Sequence, residues 1–119
     1  MSKVFIVDDQ FDLCDLLRRL FEKAGHPAVC VTDPTAVTQT LRASPADLVL
    51  LDIMMPVIDG FGVLRAIRSD PALAKTPVVM YSALSDDATR QRALNAGAND
   101  YIVKGLRFSD IQQRLAPYL

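Results

Sequence analysis

Five polar residues of this 119-residue chain directly follow short apolar runs. They are Asp8, Asp9, Asp52, Ser82 and Lys104. Three carboxylates that meet at one place repel each other, so such a cluster needs a cation or a bound proton. Mg²⁺ suits one or two carboxylates, water and phosphate oxygens, whereas Ca²⁺ needs more protein oxygens than this sequence supplies. We therefore predict a Mg²⁺ site formed by the three aspartates.

Asp52 follows LVLL (48–51), a run that is typical of a strand buried on both faces. Burying an ionised group there costs desolvation energy, so the charge needs water, a cation or a chemical role at this position. Beside a metal and Lys104, the Asp52 carboxylate becomes a nucleophile that can accept a phosphoryl group as an aspartyl phosphate. The metal and the lysine would neutralise the transferred group, and the Ser82 hydroxyl could hydrogen-bond one of its oxygens. The backbone carbonyl of Met54 could reach the metal.

Each of these residues could instead have a purely structural role. An early aspartate can cap the first helix, Ser82 can end a strand, and Lys104 can be a solvated charge. Together, however, these roles would place three acids, a hydroxyl and a lysine at four strand ends by accident. The side chains of Met54 and Met55 are expected to pack rather than to bind a ligand.

Five apolar runs are long enough to form strands. They are VFIV (4–7), AVCV (28–31), LVLL (48–51), PVVMY (77–81) and DYIV (100–103). Helical patterns separate these runs, and a parallel connection needs a crossover that is usually helical. The alternation predicts an α/β domain with a doubly wound, five-stranded parallel sheet and five helices. The order 2-1-3-4-5 is expected, with the binding crevice at the C-terminal edge between strands one and three.

The five helices are predicted from apolar spacing and capping signals. The first covers residues 10–25, with Gly25 as its cap and with apolar positions Leu13, Leu16, Leu17, Leu20, Phe21 and Ala24. The second opens at Asp33-Pro34 and runs to about Ala43. The others are expected over 60–69, over the weakly amphipathic segment 86–97, and from the capping box SDIQ (109–112) to near Pro117.

Composition limits the class of protein. Thirteen basic and fourteen acidic residues give a net charge of -1, and the absence of a basic block argues against direct nucleic-acid binding. The sequence has neither a secretory signal nor an apolar run of membrane-spanning length. We expect one soluble, cytoplasmic domain over residues 1–119 that does not bind a membrane. Cys14 and Cys30, without a CxxC pair, are expected to be small buried hydrophobes.

Four motifs resemble those of the response-regulator receiver domain of two-component signalling, a flavodoxin-like fold. They are VDD (7–9), LLDIMMPVIDG (50–60), YSA (81–83) and YIVK (101–104), and the resemblance covers essentially the whole chain. The resemblance implies that Asp52 is the phosphoacceptor. It also implies that Mg²⁺ binds to Asp9, Asp52 and the Met54 carbonyl. Asp8 would assist, partly through water.

The same resemblance implies a switch. Ser82 and Lys104 would contact the phosphoryl group, and the rotamer of Tyr101 would follow Ser82. The face formed by the fourth helix, fifth strand and fifth helix, about residues 86–119, would then change and alter binding to a downstream protein. The phosphoryl donor would be a sensor histidine kinase or a histidine phosphotransfer protein. The domain would catalyse only its own phosphorylation and dephosphorylation.

Three other classes are weighed against this interpretation. A haloacid-dehalogenase-type phosphatase would carry its nucleophile in an early D-x-D motif, whereas the early acids here are adjacent. A flavin-binding flavodoxin relative would need a phosphate loop after the first strand, where DDQFD would repel phosphate. A degenerate receiver would lack a member of the constellation, and none is missing. Gly105 replaces the proline that is usual after the lysine, so we predict a trans peptide there.

Overall fold

The computed structural model describes residues 2–119 and contains five strands and five helices. The strands are β1 (Val4–Val7), β2 (Ala28–Val31), β3 (Leu48–Leu51), β4 (Val78–Ser82) and β5 (Asp100–Val103). The helices are α1 (Phe11–Lys23), α2 (Val37–Ala43), α3 (Gly60–Ser69), α4 (Asp87–Asn95) and α5 (Phe108–Leu115). The predicted alternation of strands and helices is confirmed.

The five strands form one sheet in the order β2-β1-β3-β4-β5, and every neighbouring pair is parallel. This order, which the sequence predicted, is that of a doubly wound, flavodoxin-like fold. In the register of the two central strands, Val7 pairs with Leu51. The residue after each strand therefore emerges at the same edge of the sheet.

Apolar side chains cover both faces of the sheet, because alternate strand residues point to opposite sides. Val49 and Leu51 belong to the core beneath α2, α3 and α4. Leu48 and Leu50 belong to the core beneath α1 and α5. All four residues of β3 are buried, which explains why this strand reads as a continuous apolar run.

The first helix is shorter than predicted, and its buried face is narrower. Only Cys14, Leu17 and Phe21 are buried along α1, whereas Leu16 is 54% exposed. The apolar spacing therefore overestimated the width of the core-facing stripe, and Cys14 supplies part of it. Gly25 lies just beyond the helix with a positive φ of 94°, as a glycine cap requires.

Boundaries of the second helix, of β4 and of the fifth helix also differ from the sequence expectation. The second helix opens with a 3-10 turn at Pro34–Ala36, although Asp33 accepts the capping hydrogen bond from the Thr35 amide. Strand β4 extends through Ser82 rather than ending at residue 81.

The predicted capping box at Ser109 is wrong, because α5 begins one residue earlier at Phe108. The Phe108 ring contacts the Phe21 ring edge-on, with centroids 5.0 Å apart, so core packing sets the start of this helix. None of the helices within residues 2–119 has the length and apolar character needed to cross a lipid bilayer.

Candidate functional site

The strand register brings two of the predicted carboxylates together. Asp8 and Asp52 follow the paired residues Val7 and Leu51, so they emerge side by side from β1 and β3. The backbone amide of Asp52 donates to the Val7 carbonyl across the strands at 2.9 Å. Both carboxylates are almost fully buried, with 1% of Asp8 and 5% of Asp52 exposed. These two charges therefore need partners in the folded protein.

Local hydrogen bonds hold both carboxylates in place. One oxygen of Asp8 accepts the amide of Gln10 at 2.9 Å, a short turn that orients the side chain at the strand end. One oxygen of Asp52 accepts the following amide, Ile53, also at 2.9 Å. Each carboxylate keeps a second oxygen for other partners.

Lys104 supplies the positive charge of the site. It follows β5, and its amide donates to the Ser82 carbonyl at 2.8 Å. The Lys104 ammonium lies 3.3 Å from Asp8 and 3.5 Å from Asp52. The lysine is thus shared between two carboxylates, and its flexible stem reaches them from the strand at the far end of the sheet.

The three carboxylates among the predicted metal ligands meet at one place. Carboxylate oxygens of Asp8, Asp9 and Asp52 all lie within 4.8 Å of each other. Unlike the other two, Asp9 is exposed, so the cluster opens to solvent on that side. Two buried carboxylates and one accessible carboxylate form an oxygen donor set suited to a hard divalent cation that retains water. This arrangement fits Mg²⁺.

The buried charges alter the acidity of both partners. Burial raises the pKa of the Asp52 carboxyl above its ordinary value; Lys104 opposes this rise and the Asp8 charge adds to it. Burial alone would lower the pKa of Lys104, but the two carboxylates outweigh it and the net shift is upward. Lys104 therefore stays protonated at neutral pH, as an electrostatic role requires.

Five of the predicted site residues line an open cleft of about 400 Å³, whereas Asp8 and Tyr101 are not among its lining residues. It is lined by Asp9, Gln10, Leu13, Asp52, Met54, Ser82, Ala83 and Lys104. The sequence interpretation did not identify Gln10 or Leu13 as lining residues. Their position after the acidic pair, in the first turns of α1, is the signal that could have placed them. Met54 is 63% exposed, so the prediction that its side chain packs is wrong, whereas Met55 is buried.

The loop between β3 and α3 fits tightly around Asp52. A Cβ atom at Gly60 would lie 2.3 Å from the Asp52 carbonyl oxygen, so only glycine allows this approach. The Gly60 amide donates to the Ile53 carbonyl at 2.8 Å. Between them, Val57 has a φ of 71° and is 91% exposed. The hydrogen bond between Gly60 and Ile53 closes the base of the loop, and the left-handed backbone of Val57 strains its tip.

Ser82 and Tyr101 occupy neighbouring strands behind the cleft. Ser82 is fully buried, and its hydroxyl accepts the Leu84 amide at 3.2 Å. The Tyr101 ring is buried, and its hydroxyl donates to the Leu84 carbonyl at 2.7 Å. Both side chains therefore engage the same residue of the loop after β4. The Lys104–Gly105 peptide is trans, as predicted, and Gly105 has a φ of 108°.

Comparison with known proteins gives the same family. The chain matches the model of the response regulator receiver domain over residues 4–116. It is 35% identical over 118 residues to the "Probable transcriptional regulator ycf27" of Guillardia theta, covering 99% of this chain and 45% of that protein. The chain spans about half the length, or less, of the curated relatives it matches first.

Two solved structures have the same fold. The beryllofluoride-activated N-terminal receiver domain of Klebsiella pneumoniae RstA is 27% identical with a TM-score of 0.91, covering 98% of this chain and 97% of that chain. The chemotaxis protein CheY4 of Vibrio cholerae, at 24% identity, has a TM-score of 0.93 and covers 100% of this chain and 99% of that chain. The chain therefore belongs to the family of response regulator receiver domains, the signalling modules of two-component systems.

Proposed function

We propose that this domain accepts a phosphoryl group on the Asp52 carboxylate. The donor would be the phosphohistidine of a sensor histidine kinase or a histidine phosphotransfer protein in the cytoplasm. Transfer breaks the bond between phosphorus and the imidazole nitrogen and forms a bond to the Asp52 oxygen. The observation that carries this proposal is the meeting of three carboxylates within 4.8 Å beside the Lys104 ammonium. The domain would act as a catalyst only on itself.

A Mg²⁺ ion would be held by Asp8, Asp9, Asp52 and the backbone carbonyl of Met54. When bound, it supplies positive charge that lets the anionic nucleophile and the anionic donor approach each other. Asp8 and Asp52 share the Lys104 ammonium in the free protein. On phosphorylation the ammonium would turn to a phosphoryl oxygen and neutralise part of the new charge.

Ser82 would carry the change away from the cleft. Its hydroxyl faces the site and holds the Leu84 amide, while the Leu84 carbonyl holds the Tyr101 hydroxyl. A hydroxyl that turns to bind a phosphoryl oxygen releases this amide and loosens the loop before α4. We infer that the face formed by α4, β5 and α5 then rearranges and changes its affinity for a downstream protein.

Phosphorylation by a small donor tests the chemical step. Acetyl phosphate with Mg²⁺ should add one phosphoryl group, detected as a single mass increase on intact protein. Asp52→Ala and excess EDTA should each abolish the addition, while Asp47→Ala, which removes an exposed aspartate elsewhere, should not. Addition that survives in Asp52→Ala would assign the phosphoacceptor to another residue.

Lys104→Ala separates metal binding from signalling. The variant should still bind Mg²⁺, since the ammonium contacts carboxylates and repels the cation. It should lose the change in partner binding that beryllofluoride, a phosphoryl mimic, produces in the parent. Lys75→Ala, an exposed lysine in another loop, is the matched control. An unchanged beryllofluoride response in Lys104→Ala would contradict the proposed role of the lysine.

A further inference from the structure

A second cleft lies between α3 and α4 and is lined by arginine. Its walls are Phe61, Arg65, Arg68, Ser69, Arg92 and Ala96, and its volume is about 260 Å³. The α3 residues stand at i, i+4, i+7 and i+8, so one face of α3 lines the cleft, and Arg92 of α4 with its C-cap Ala96 lines the other side. Three arginine side chains thus line a single small space.

Arg68 lines the cleft and has no acidic partner within residues 2–119. Its guanidinium donates to the carbonyls of Gly97, Ala74 and Thr76 and to the side-chain oxygen of Asn99, at 2.7–3.1 Å. A guanidinium has five N–H donors, so these four bonds leave one donor free and fix the group rigidly. All four acceptors are neutral, so the positive charge of this partly buried group remains uncompensated.

Arg65 and Arg92 add two further charges. Within residues 2–119, neither forms an ion pair with a carboxylate. The Arg92 guanidinium lies over the Phe61 ring, 3.8 Å from its centroid, so a cation–π contact holds it at the cleft. Its N–H groups remain available, as do those of Arg65.

Three acids that lie near these arginines in sequence are engaged elsewhere, and a fourth, Asp87, is an exposed residue in the first turn of α4 that forms no ion pair within residues 2–119. Asp59 and Asp86 cap the N-termini of α3 and α4, and Asp70 pairs with Arg42. Arginines in the second half of a helix complement its dipole, but that effect is worth only about 0.3–1 kcal/mol each. It also does not require them to converge on one cleft. Like charges brought together in this way favour a bound anion.

The size and donor geometry of the cleft indicate the class of anion. A volume of about 260 Å³ lies near the lower end of the roughly 300–1,000 Å³ of small-molecule sites, so the cleft suits a small molecule rather than a polymer. Guanidinium forks match phosphoryl oxygens with paired hydrogen bonds. We propose that the α3–α4 cleft binds a small phosphoryl-bearing anion between Arg65, Arg68 and Arg92, at a site separate from the acidic cleft.

Calorimetric titration with pyrophosphate, in EDTA and at matched ionic strength in chloride, tests the proposal. We expect saturable binding that weakens about tenfold or more in Arg65→Gln/Arg92→Gln, because two charge-assisted contacts are removed. Arg90→Gln is the matched control, because it removes an exposed charge from α4 outside the cleft and should bind as the parent does. Melting temperatures in chloride show that the variants are folded.

Two further arms identify the ligand and its location. Amide chemical-shift changes on addition of pyrophosphate should be confined to α3, α4 and the Gly97 loop. A parallel titration with adenosine diphosphate distinguishes a nucleotide from a free phosphate compound. No saturable binding at millimolar concentration, an equal loss in Arg90→Gln, or shifts confined to the acidic cleft would each overturn the proposal. So would a glutamate-rich peptide that binds more tightly than pyrophosphate, since the site would then recognise carboxylates.

Discussion

Removing the charge of Asp52 should stabilise the metal-free protein. Its carboxylate shares the cleft with two others, while its attractive partner is Lys104. Two repulsions across at most 4.8 Å exceed one attraction across 3.5 Å by about 0.5 kcal/mol or more at the dielectric constant of water, and by about 2 kcal/mol or more at an effective value of 20. Because the third carboxylate, Asp9, is exposed, solvent and salt weaken its share. We expect Asp52→Asn to gain about 1 kcal/mol of unfolding free energy in EDTA.

The substitution isolates the charge. An asparagine side chain has nearly the same shape, and its oxygen can still accept the Ile53 amide. Burial raises the pKa of Asp52 in the folded state, so the folded protein binds this proton more tightly than the unfolded chain does. The parent therefore loses stability as pH rises from the ordinary carboxyl value through the folded pKa. The advantage of Asp52→Asn should be complete above that folded pKa and should vanish as pH falls through it.

Urea unfolding of the parent and of Asp52→Asn, in EDTA and in Mg²⁺, measures these differences. Mg²⁺ should stabilise the parent more than the variant, because a ligand that binds only the folded state raises its stability. Asp12→Asn, which removes an exposed charge at the start of α1, should change stability by less than about 0.5 kcal/mol. If Asp52→Asn is less stable than the parent in EDTA, Asp52 is a structural anchor held by Lys104, and the reasoning from charge crowding is wrong.

Three other substitutions and one hydrogen-exchange measurement probe the fold around both clefts. Gly60→Ala should lose about 1–3 kcal/mol in urea unfolding, because its Cβ would collide with backbone atoms that cannot yield. Val57→Gly should raise the unfolding free energy by about 1 kcal/mol. The left-handed φ of Val57 costs a β-branched residue more energy than the extra chain entropy that glycine loses on folding. Arg68→Lys should lose about 1–3 kcal/mol despite keeping the charge, because an ammonium cannot reproduce four fixed hydrogen bonds. Hydrogen exchange should be faster in α4, which buries only Ala93, than in α3; equal protection would contradict this ranking.

The meeting of the site residues could be predicted because it depends on topology. Apolar runs set the strands, and the parallel order brings their C-terminal ends to one edge. Asp8 and Asp52 then become neighbours through a single register pair, Val7 with Leu51. Which carboxylate the lysine contacts could not be predicted in this way. That choice depends on distances of 3.3 Å and 3.5 Å, set by the rotamers of a long side chain.

Helix faces and boundaries were predicted less well, because packing overrides local signals. Six apolar positions suggested a broad stripe on α1, but the sheet covers only part of it and leaves Leu16 in solvent. A good capping sequence at Ser109 was overridden by the contact between Phe108 and Phe21. The role of Arg68 left no sequence signal, because three of its four acceptors are backbone carbonyls, which any residue type can supply.

Helix α3 touches the backbone of Asp52 at its N-terminus and lines the arginine cleft along its length, so it connects both clefts to α4. The N-terminus of α3 packs against the Asp52 backbone through Gly60, and its C-terminal half carries Arg68. Helix α4 has one buried residue of its own and is tied to α3 by the stacking of Arg92 on Phe61. Phosphorylation would loosen the loop before α4, whereas an anion in the arginine cleft would bind Arg92 and strengthen its attachment to α3. Because two ligands that act on one helix in opposite directions must oppose each other, we expect pyrophosphate to weaken beryllofluoride binding, and Arg65→Gln/Arg92→Gln to remove that effect.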